Sequence, residues 1–466
     1  MFIVDTALEA LEAKGNPVQV ALLGAGFISQ GLANHIVNTK PGMRLVGVYN
    51  RRTQRAFDLC MYAGVKDAVA PVTPEEADVA IREGKVVVTD DAFLLARSPG
   101  VDVIVDVTGS VEFGARVALE AFRNHKDVVL LNAEIDATLG PILQVYAQKH
   151  GVILSACEGD EPGLQINLYR WVKGLGLTPR VIGNIKGLKD PYRNPTTQKG
   201  FAEKWGQNPA MVTSFADGSK INFEQSIVAN ATGFFVRSRG MSRGMEYKDD
   251  VMKIGKIYDV EETRRLGGII DYVVGTPLTK VYVLAEHPDP KQQHYLSLYK
   301  MGDGPLYSFF LPYHLVHFEV PTAIARVALF RDTVAKPIGG PVAEVCAVAK
   351  RDLKAGEVLD DYGMYMTYGE AVNAEEMCNN RYLPEGLVEG CALTRDVPKD
   401  AVITYYDVTL PPNRLADQLR AEQYRHFRGE TWLGDLVRRV PNLYAESNST
   451  LFESHRSAMI GADVTD

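Results

Sequence analysis

The chain has 466 residues, 46% of them hydrophobic, and a formal net charge of −8. That length predicts two to four domains with sizeable cores, and an acidic balance without a basic block argues against a nucleic-acid partner. No apolar run approaches the roughly 20 residues of a membrane helix, and the start, Met1-Phe2-Ile3-Val4-Asp5, carries neither a basic region nor a cleavage site, so no secretory signal is expected.

Asp5 to Lys14 has helical spacing, with Gly15 as its stop. Val18 to Leu23 is an apolar strand that runs into Gly24-x-Gly26, and helical spacing follows at Leu32, Ala33 and Ile36. The first glycine permits a tight turn and the second lets backbone approach a pyrophosphate. The N–H groups from Phe27 and Ile28 onward would face that anion. Ser29 stands at the third fingerprint position, with Gly31 two residues on. The second strand, Arg44 to Tyr49, ends in Asn50-Arg51-Arg52 instead of an acid. An acid there would take the ribose 2′-hydroxyl of NAD; two arginines suit a 2′-phosphate, so NADP(H) is the expected cofactor.

Pro71 to Asp91 is charged, with a helix expected at Pro74, and reads as an insertion. Buried strands then follow at Val101 to Val107 and Val128 to Leu131. They end in Thr108-Gly109 and Asn132-Ala133-Glu134, small or polar residues at strand carboxyl ends, where open parallel sheets bind ligands. The reading is an α/β protein with a Rossmann-type parallel sheet over residues 1–157.

A second, α+β domain for substrate and catalysis is expected over 158–340. It opens with the acidic turn Glu158-Gly159-Asp160-Glu161-Pro162-Gly163 and a helix through Leu164 and Leu168. The strand Val181 to Ile185 feeds a polar loop from Lys186 to Thr197. Asp217-Gly218 suggests a hairpin, Glu224 to Gly233 a helix, and Val281 to Leu284 and Leu306 to Phe310 strands. A helix from Pro321 is expected to return to the first domain. Residues 341–413 contain a faint repeat: Ala349-Lys350-Arg351-Asp352 and the Arg395-Asp396 segment lie 44 residues apart. They predict a small β domain with two related halves. Residues 414–466 form a helical tail with Trp432, Leu433 and Leu436 as docking residues, frayed from Ser447 onward. The five cysteines, Cys60, Cys157, Cys346, Cys378 and Cys391, are scattered without zinc-ligand spacing, which fits a reduced cytoplasmic chain.

Three groups could carry chemistry. Glu158 and Asp160, with Glu161 and with Glu134 and Asp136 nearby, could hold Mg²⁺ or Mn²⁺, or simply dress a helix N-terminus with acids. Lys186 and Lys189 could polarise a carbonyl and stabilise the alkoxide of a hydride transfer, with Asp160 orienting a hydroxyl. His314-x-x-His317-x-Glu319 has metal-type spacing, although strand alternation would separate His314 from His317 and Glu319; the two histidines are also catalytic candidates, as proton donors should the lysines not serve, or else core or surface residues.

Gly24-x-Gly26, Asp106-Val107-Thr108-Gly109 and Leu131-Asn132-Ala133 resemble homoserine dehydrogenase. A lysine typical of that family after the last motif is Glu134 in this chain. Over nearly its whole length the chain is more similar to reductoisomerase-like oxidoreductases with a C-terminal SAF domain, one group of which acts on 1-deoxy-D-xylulose 5-phosphate. The matching residues are Gly159-Asp160-Glu161-Pro162, Gly183 to Lys189, Asn230-Ala231-Thr232-Gly233, Tyr313-His314-Leu315-Val316-His317 and Ala349-Lys350-Arg351-Asp352; the Asp190 to Thr197 loop departs from the deoxyxylulose-phosphate group. The resemblance implies an NADP-dependent oxidoreductase or reductoisomerase, forming a homo-oligomer and acting on a small sugar-derived or polyhydroxylated carbonyl compound, phosphorylated or not. A homoserine-type dehydrogenase and a non-catalytic NADP-binding sensor are the alternatives.

Overall fold

The structure, a computed structural model, describes residues 3–275 and 281–437. The first domain is a seven-stranded parallel sheet: β1 (Val18–Leu23), β2 (Met43–Tyr49), β3 (Ala68–Val69), β4 (Val86–Thr89), β5 (Val103–Asp106), β6 (Asp127–Leu130) and β7 (Leu154–Ala156), in the order β3-β4-β2-β1-β5-β6-β7. Strand periodicity explains how both faces are covered. Val20 and Leu22 of β1 join one core with Val4 and Leu8 of the first helix, while Ala21 and Leu23 join another with Ala115 and Leu139. The helix Val320–Phe330 enters the first of these cores through Val320, Ala323, Ile324 and Val327. The second domain's chain therefore returns to the first.

The Pro71 to Asp91 stretch, expected as an insertion, is integral to the sheet. Thr73 and Glu76 form a capping box on the helix Pro74–Arg82, and β4 then pairs with β2 between Gly47 and Val87. Its four buried residues were hidden between charged neighbours.

The second sheet contains β8 (Thr178–Lys186), β9 (Phe235–Val236), β10 (Met245–Tyr247), β11 (Ile269–Gly275), β12 (Val281–Glu286) and β13 (Tyr307–Leu311), ordered β10-β11-β8-β12-β13 with β9 on β11. The helices Glu161–Gly174 and Ser219–Thr232 cover one face, where Leu164, Leu168, Phe223 and Ile227 meet Ile182, Ile270 and Val283. Asp217-Gly218 is not a hairpin. Gly218, at φ +94°, links the helices Pro209–Asp217 and Ser219–Thr232. Asp217 still makes the local bond typical of such a turn, accepting from Ser219 N–H at 2.8 Å, but helices flank it. The polar loop after β8 is shorter than expected, because an Asn194/Thr197 capping box starts the helix Pro195–Trp205. The His314 to Glu319 stretch is also not a strand: Val316–Phe318 is a 3₁₀ turn, so strand alternation does not govern it.

The C-terminal unit is built on the antiparallel pair β14 (Ala343–Ala349) and β15 (Thr367–Asn373). The two repeat copies face each other. Leu353 and Val397 exchange backbone hydrogen bonds of 2.8 and 2.9 Å, and the bridges Val348–Val402 and Val358–Ala392 interchange under the 44-residue offset. Leu353, Leu393, Val397 and Ile403 give the unit its own core, which also takes up Leu433, with Trp432 packed against it. Ala343, Val345 and Ala371 instead belong to the second domain's core beside Phe223 and Val228. The unit is therefore welded to the helix Ser219–Thr232. The segment expected to fray, from Ser447, lies outside the described residues, and among the described residues no helix is long and apolar enough to cross a membrane.

Candidate functional site

The glycine turn has the geometry that its sequence requires. Gly24 adopts φ +108°, and a Cβ there would stand 3.2 Å from the Val107 carbonyl oxygen. This glycine brings the ends of β1 and β5 together. Gly26 starts the helix Phe27–Thr39 with no side-chain cap, and the space above it is open. No side chain caps the first N–H groups of that helix, and uncapped N–H groups are what an anion site offers. Gly31 serves a different purpose. A Cβ on it would lie 2.9 Å from the His317 ring, which also stacks with Phe318 at 4.2 Å. His317 is therefore packed on the cofactor-side helix, apart from His314, and burial lowers its pKa.

At the end of β2, Asn50 accepts from Arg52 N–H at 3.0 Å, and the Arg51 and Arg52 side chains are exposed. At the end of β5, Asp106 accepts from the Thr108 N–H and hydroxyl at 2.9 and 2.6 Å and from the Asn132 amide at 3.0 Å. Asn132 also caps the helix Ala133–Lys149, accepting from Ile135 N–H at 3.2 Å. Asn132 thus shapes the loop ends from inside the protein. The donor set, uncapped helix start and exposed arginine pair fit a dinucleotide.

Glu134, where the resemblance had led to a lysine, is buried and bonded to one. Lys220, from the helix Ser219–Thr232, places Nζ 3.2 Å from Glu134 Oε1. Burial opposes the charge on Lys220, but Glu134, Asp160 and Glu224 outweigh it and raise the pKa, so this lysine stays an ammonium. Asp160 opens the helix Glu161–Gly174 without capping it, and its carboxylate acts on Lys220 through space.

A second cluster adjoins the first. Lys186, at the end of β8, bonds to Glu161 and lies 3.2 Å from Glu224 Oε2. Burial works against ionisation at Glu161, yet Lys186, a hydrogen bond with Glu224 and His314 together lower its pKa. Burial and the Glu161 charge raise that of Glu224, so Glu224 holds the proton of the pair. His314, partly exposed, brings Nε2 to 3.7 Å from Glu161 Oε1. Lys189 stands elsewhere: its Nζ lies 5.8 Å from the Tyr368 ring centroid, and burial lowers its pKa.

Glu158 pairs with a protein side chain. Arg326 Nη1 lies 2.9 Å from Glu158 Oε1, which also accepts from Asn167. Among the described residues no group of three or more His, Cys, Asp and Glu side chains is gathered as a metal site. The sequence does not mark Lys220 as a site residue, because Asp217-Gly218 reads as a hairpin, and it marks Glu224 only as a helix start. Their spacing of four, one helical turn apart on one face, was the available signal.

Residues 24–155 match the family described as homoserine dehydrogenase, NAD binding domain. Residues 159–320 match the family described as oxidoreductase DRL, catalytic domain. The chain joins a homoserine dehydrogenase-type NAD-binding domain to a DRL-type oxidoreductase catalytic domain. Among curated proteins, it is 23% identical over 249 residues to a homoserine dehydrogenase of Methylobacillus glycogenes, covering 50% of this chain and 55% of that one. A homoserine dehydrogenase of Pseudomonas aeruginosa is 25% identical over 169 residues, covering 34% of this chain and 35% of its own. The chain thus spans about half the length, or less, of these relatives. Among solved structures, a DOX-P reductoisomerase with fosmidomycin and magnesium has a TM-score of 0.35 at 13% identity, covering 67% of this chain and 79% of that one. A scyllo-inositol dehydrogenase of Lactobacillus casei has 0.34 at 11%, covering 58% and 74%.

Proposed function

We propose that this protein is an NADP(H)-dependent oxidoreductase acting on a small polyhydroxylated or sugar-derived carbonyl compound, with reductoisomerase chemistry as the specific form to test. The observation that carries this reading is the Lys220–Glu134 pair at the carboxyl edge of the nucleotide-binding sheet. A permanently charged, well-held ammonium suits a carbonyl oxygen on which negative charge develops. A bound nicotinamide would supply or accept the hydride. Lys220 would polarise the carbonyl, and Glu134 would hold its ammonium in place. His314, at the exposed end of the Glu161–Glu224–Lys186 cluster, would exchange the hydroxyl proton with solvent. Preference for NADP(H) is supported by exposed Arg51 and Arg52 at the end of β2. A hydroxyl-rich substrate is favoured by the hydrogen-bonding groups gathered at Glu134, Lys220, Lys186 and His314.

The homoserine-type reading is carried by the curated relatives and weakened by Glu134. The test is direct. NADP⁺ and NAD⁺ binding is measured by calorimetry, and sugar phosphates, sugar acids and homoserine are then screened for absorbance change at 340 nm, with and without Mg²⁺. NADP(H) binding with turnover of a hydroxylated carbonyl compound supports the proposal. Homoserine turnover alone would replace it with the dehydrogenase reading, and cofactor binding without any turnover would favour a sensor.

A further inference from the structure

The chain between β14 and β15 carries Asp360-Asp361-Tyr362-Gly363 from the C-terminal unit to the carboxyl edge of the nucleotide-binding sheet. Tyr362 is 8% exposed. Its hydroxyl donates to the Gly109 carbonyl at 3.1 Å. Its ring meets Phe223 edge-on, with centroids 5.9 Å apart. Phe223 and Lys220 lie on the same helix. Gly109 serves this contact twice. Its φ of +73° needs glycine, and a Cβ there would stand 2.9 Å from the Tyr362 hydroxyl. Burial first, and then the Glu134 and Asp361 carboxylates, keep the phenol protonated and able to donate.

The loop is held from several sides. Lys350 Nζ, itself buried, bonds to the Met364 carbonyl at 2.8 Å, the Asp217 carboxylate at 2.8 Å and the Arg193 carbonyl at 2.9 Å. Asp360 accepts from the N–H groups of Tyr365 and Met366 at 2.9 and 3.2 Å. Gly363 runs so close to the Ala210 carbonyl that a Cβ would lie 2.3 Å from it. This anchoring costs backbone freedom that a mere connection between strands has no need to give up.

We infer that the C-terminal unit is a working part of the cofactor site, and that Tyr362 is its positioning residue. Tyr362 holds the Thr108-Gly109 turn and lies within reach of the Glu134 carboxylate, so dinucleotide binding at that turn should tighten residues 360–366 further. The inference rests on the oxidoreductase reading above.

Hydrogen–deuterium exchange of the full chain with and without NADPH tests it. The expected result is slower exchange in residues 360–366 as well as around Gly24–Ile28. Tyr362→Phe keeps the ring on Phe223 and removes only the hydroxyl. It should weaken NADPH binding roughly three- to tenfold, the worth of one neutral hydrogen bond, with little change in Tm. Tyr406→Phe, on the exposed side of the same unit, should leave binding unchanged. If NADPH binds and protects the glycine turn while residues 360–366 exchange as before, this inference fails and the oxidoreductase reading stands. Normal NADPH affinity in Tyr362→Phe, or a loss of Tm without a change in affinity, would overturn it equally. If no nicotinamide cofactor binds at all, both fail together.

Discussion

Lys220 and Glu134 meet between the two domains, Nζ to Oε1 at 3.2 Å, with side chains 9% and 1% exposed. One comes from the end of the nucleotide-binding sheet and the other from the helix that covers the second sheet. This ion pair therefore links the two domains and fixes a charge where they meet. Because both groups are desolvated, the pair's net worth for stability is small, while the loss of one partner alone is costly.

That asymmetry gives the first prediction. Glu134→Gln leaves a buried ammonium without its counter-ion and should destabilise the protein by about 3–5 kcal/mol. Lys220→Met should lower kcat about 10²–10⁴-fold and leave NADP(H) affinity near normal. The double variant should be less destabilised than the sum of the two singles, because the sites couple. Thermal denaturation and steady-state kinetics read both effects. Near-normal kcat in Lys220→Met would mean that another group polarises the carbonyl.

A second prediction concerns cofactor choice. The exposed Arg51 and Arg52 side chains follow β2, where the adenosine ribose is expected. On the NADP(H) proposal, forked guanidinium bonds to a 2′-phosphate would be lost in Arg51→Ala/Arg52→Ala. The ratio of NADPH to NADH affinity should collapse toward one in calorimetry, with NADH affinity little changed. A preserved ratio would place the 2′-phosphate contact on other residues.

The first domain was legible because its signals are local. A continuous buried strand, a glycine turn and a helix start occupy adjacent residues from Val18 to Ile36, and the structure repeats them in that order. The candidate site was only half legible. Lys186 and Asp160 were visible as polar residues after a strand and before a helix. Lys220 was not, because Asp-Gly makes the same local bond at a helix junction as in a hairpin, and only the flanking helices distinguish the two. Arg326 was invisible as the partner of Glu158, since 168 residues separate them. Strand β4 was masked by the charged helix before it. Short-range chemistry can be read from sequence, whereas ion-pair partners across domains depend on the packing of whole elements.

The two lysines singled out from the polar loop should behave differently. Lys186 bonds to both Glu161 and Glu224, so Lys186→Ala should leave the buried Glu161 carboxylate without its ammonium partner and reduce kcat by more than about tenfold. Lys189 rests over Tyr368, away from that cluster, and Lys189→Ala should cost less. Kinetics of the two variants on one substrate decide the order. The opposite order would move the reacting carbonyl toward Tyr368.

Asp136 supplies a prediction about pH. It lies one turn into the helix Ala133–Lys149, where the helix N-terminus favours a carboxylate. Yet it is buried, and among the described residues no hydrogen-bond or ion-pair partner meets its carboxyl. Burial pushes its pKa up to about 7. In the unfolded chain an aspartate ionises near its ordinary value of about 3.9. Below that value both states carry the proton and the carboxyl costs nothing. As pH rises, the unfolded chain releases its proton first, so stability falls until the folded state also ionises near neutrality; above that, the whole penalty is in place. The span of the shift corresponds to at most about 4 kcal/mol. Asp136→Asn keeps the shape and removes the titration. Its Tm should match that of the wild type near pH 4 and exceed it by several degrees at pH 8, with the gap opening between those limits. A gap that stays constant with pH would mean that a cation or a water chain satisfies the Asp136 carboxylate in solution.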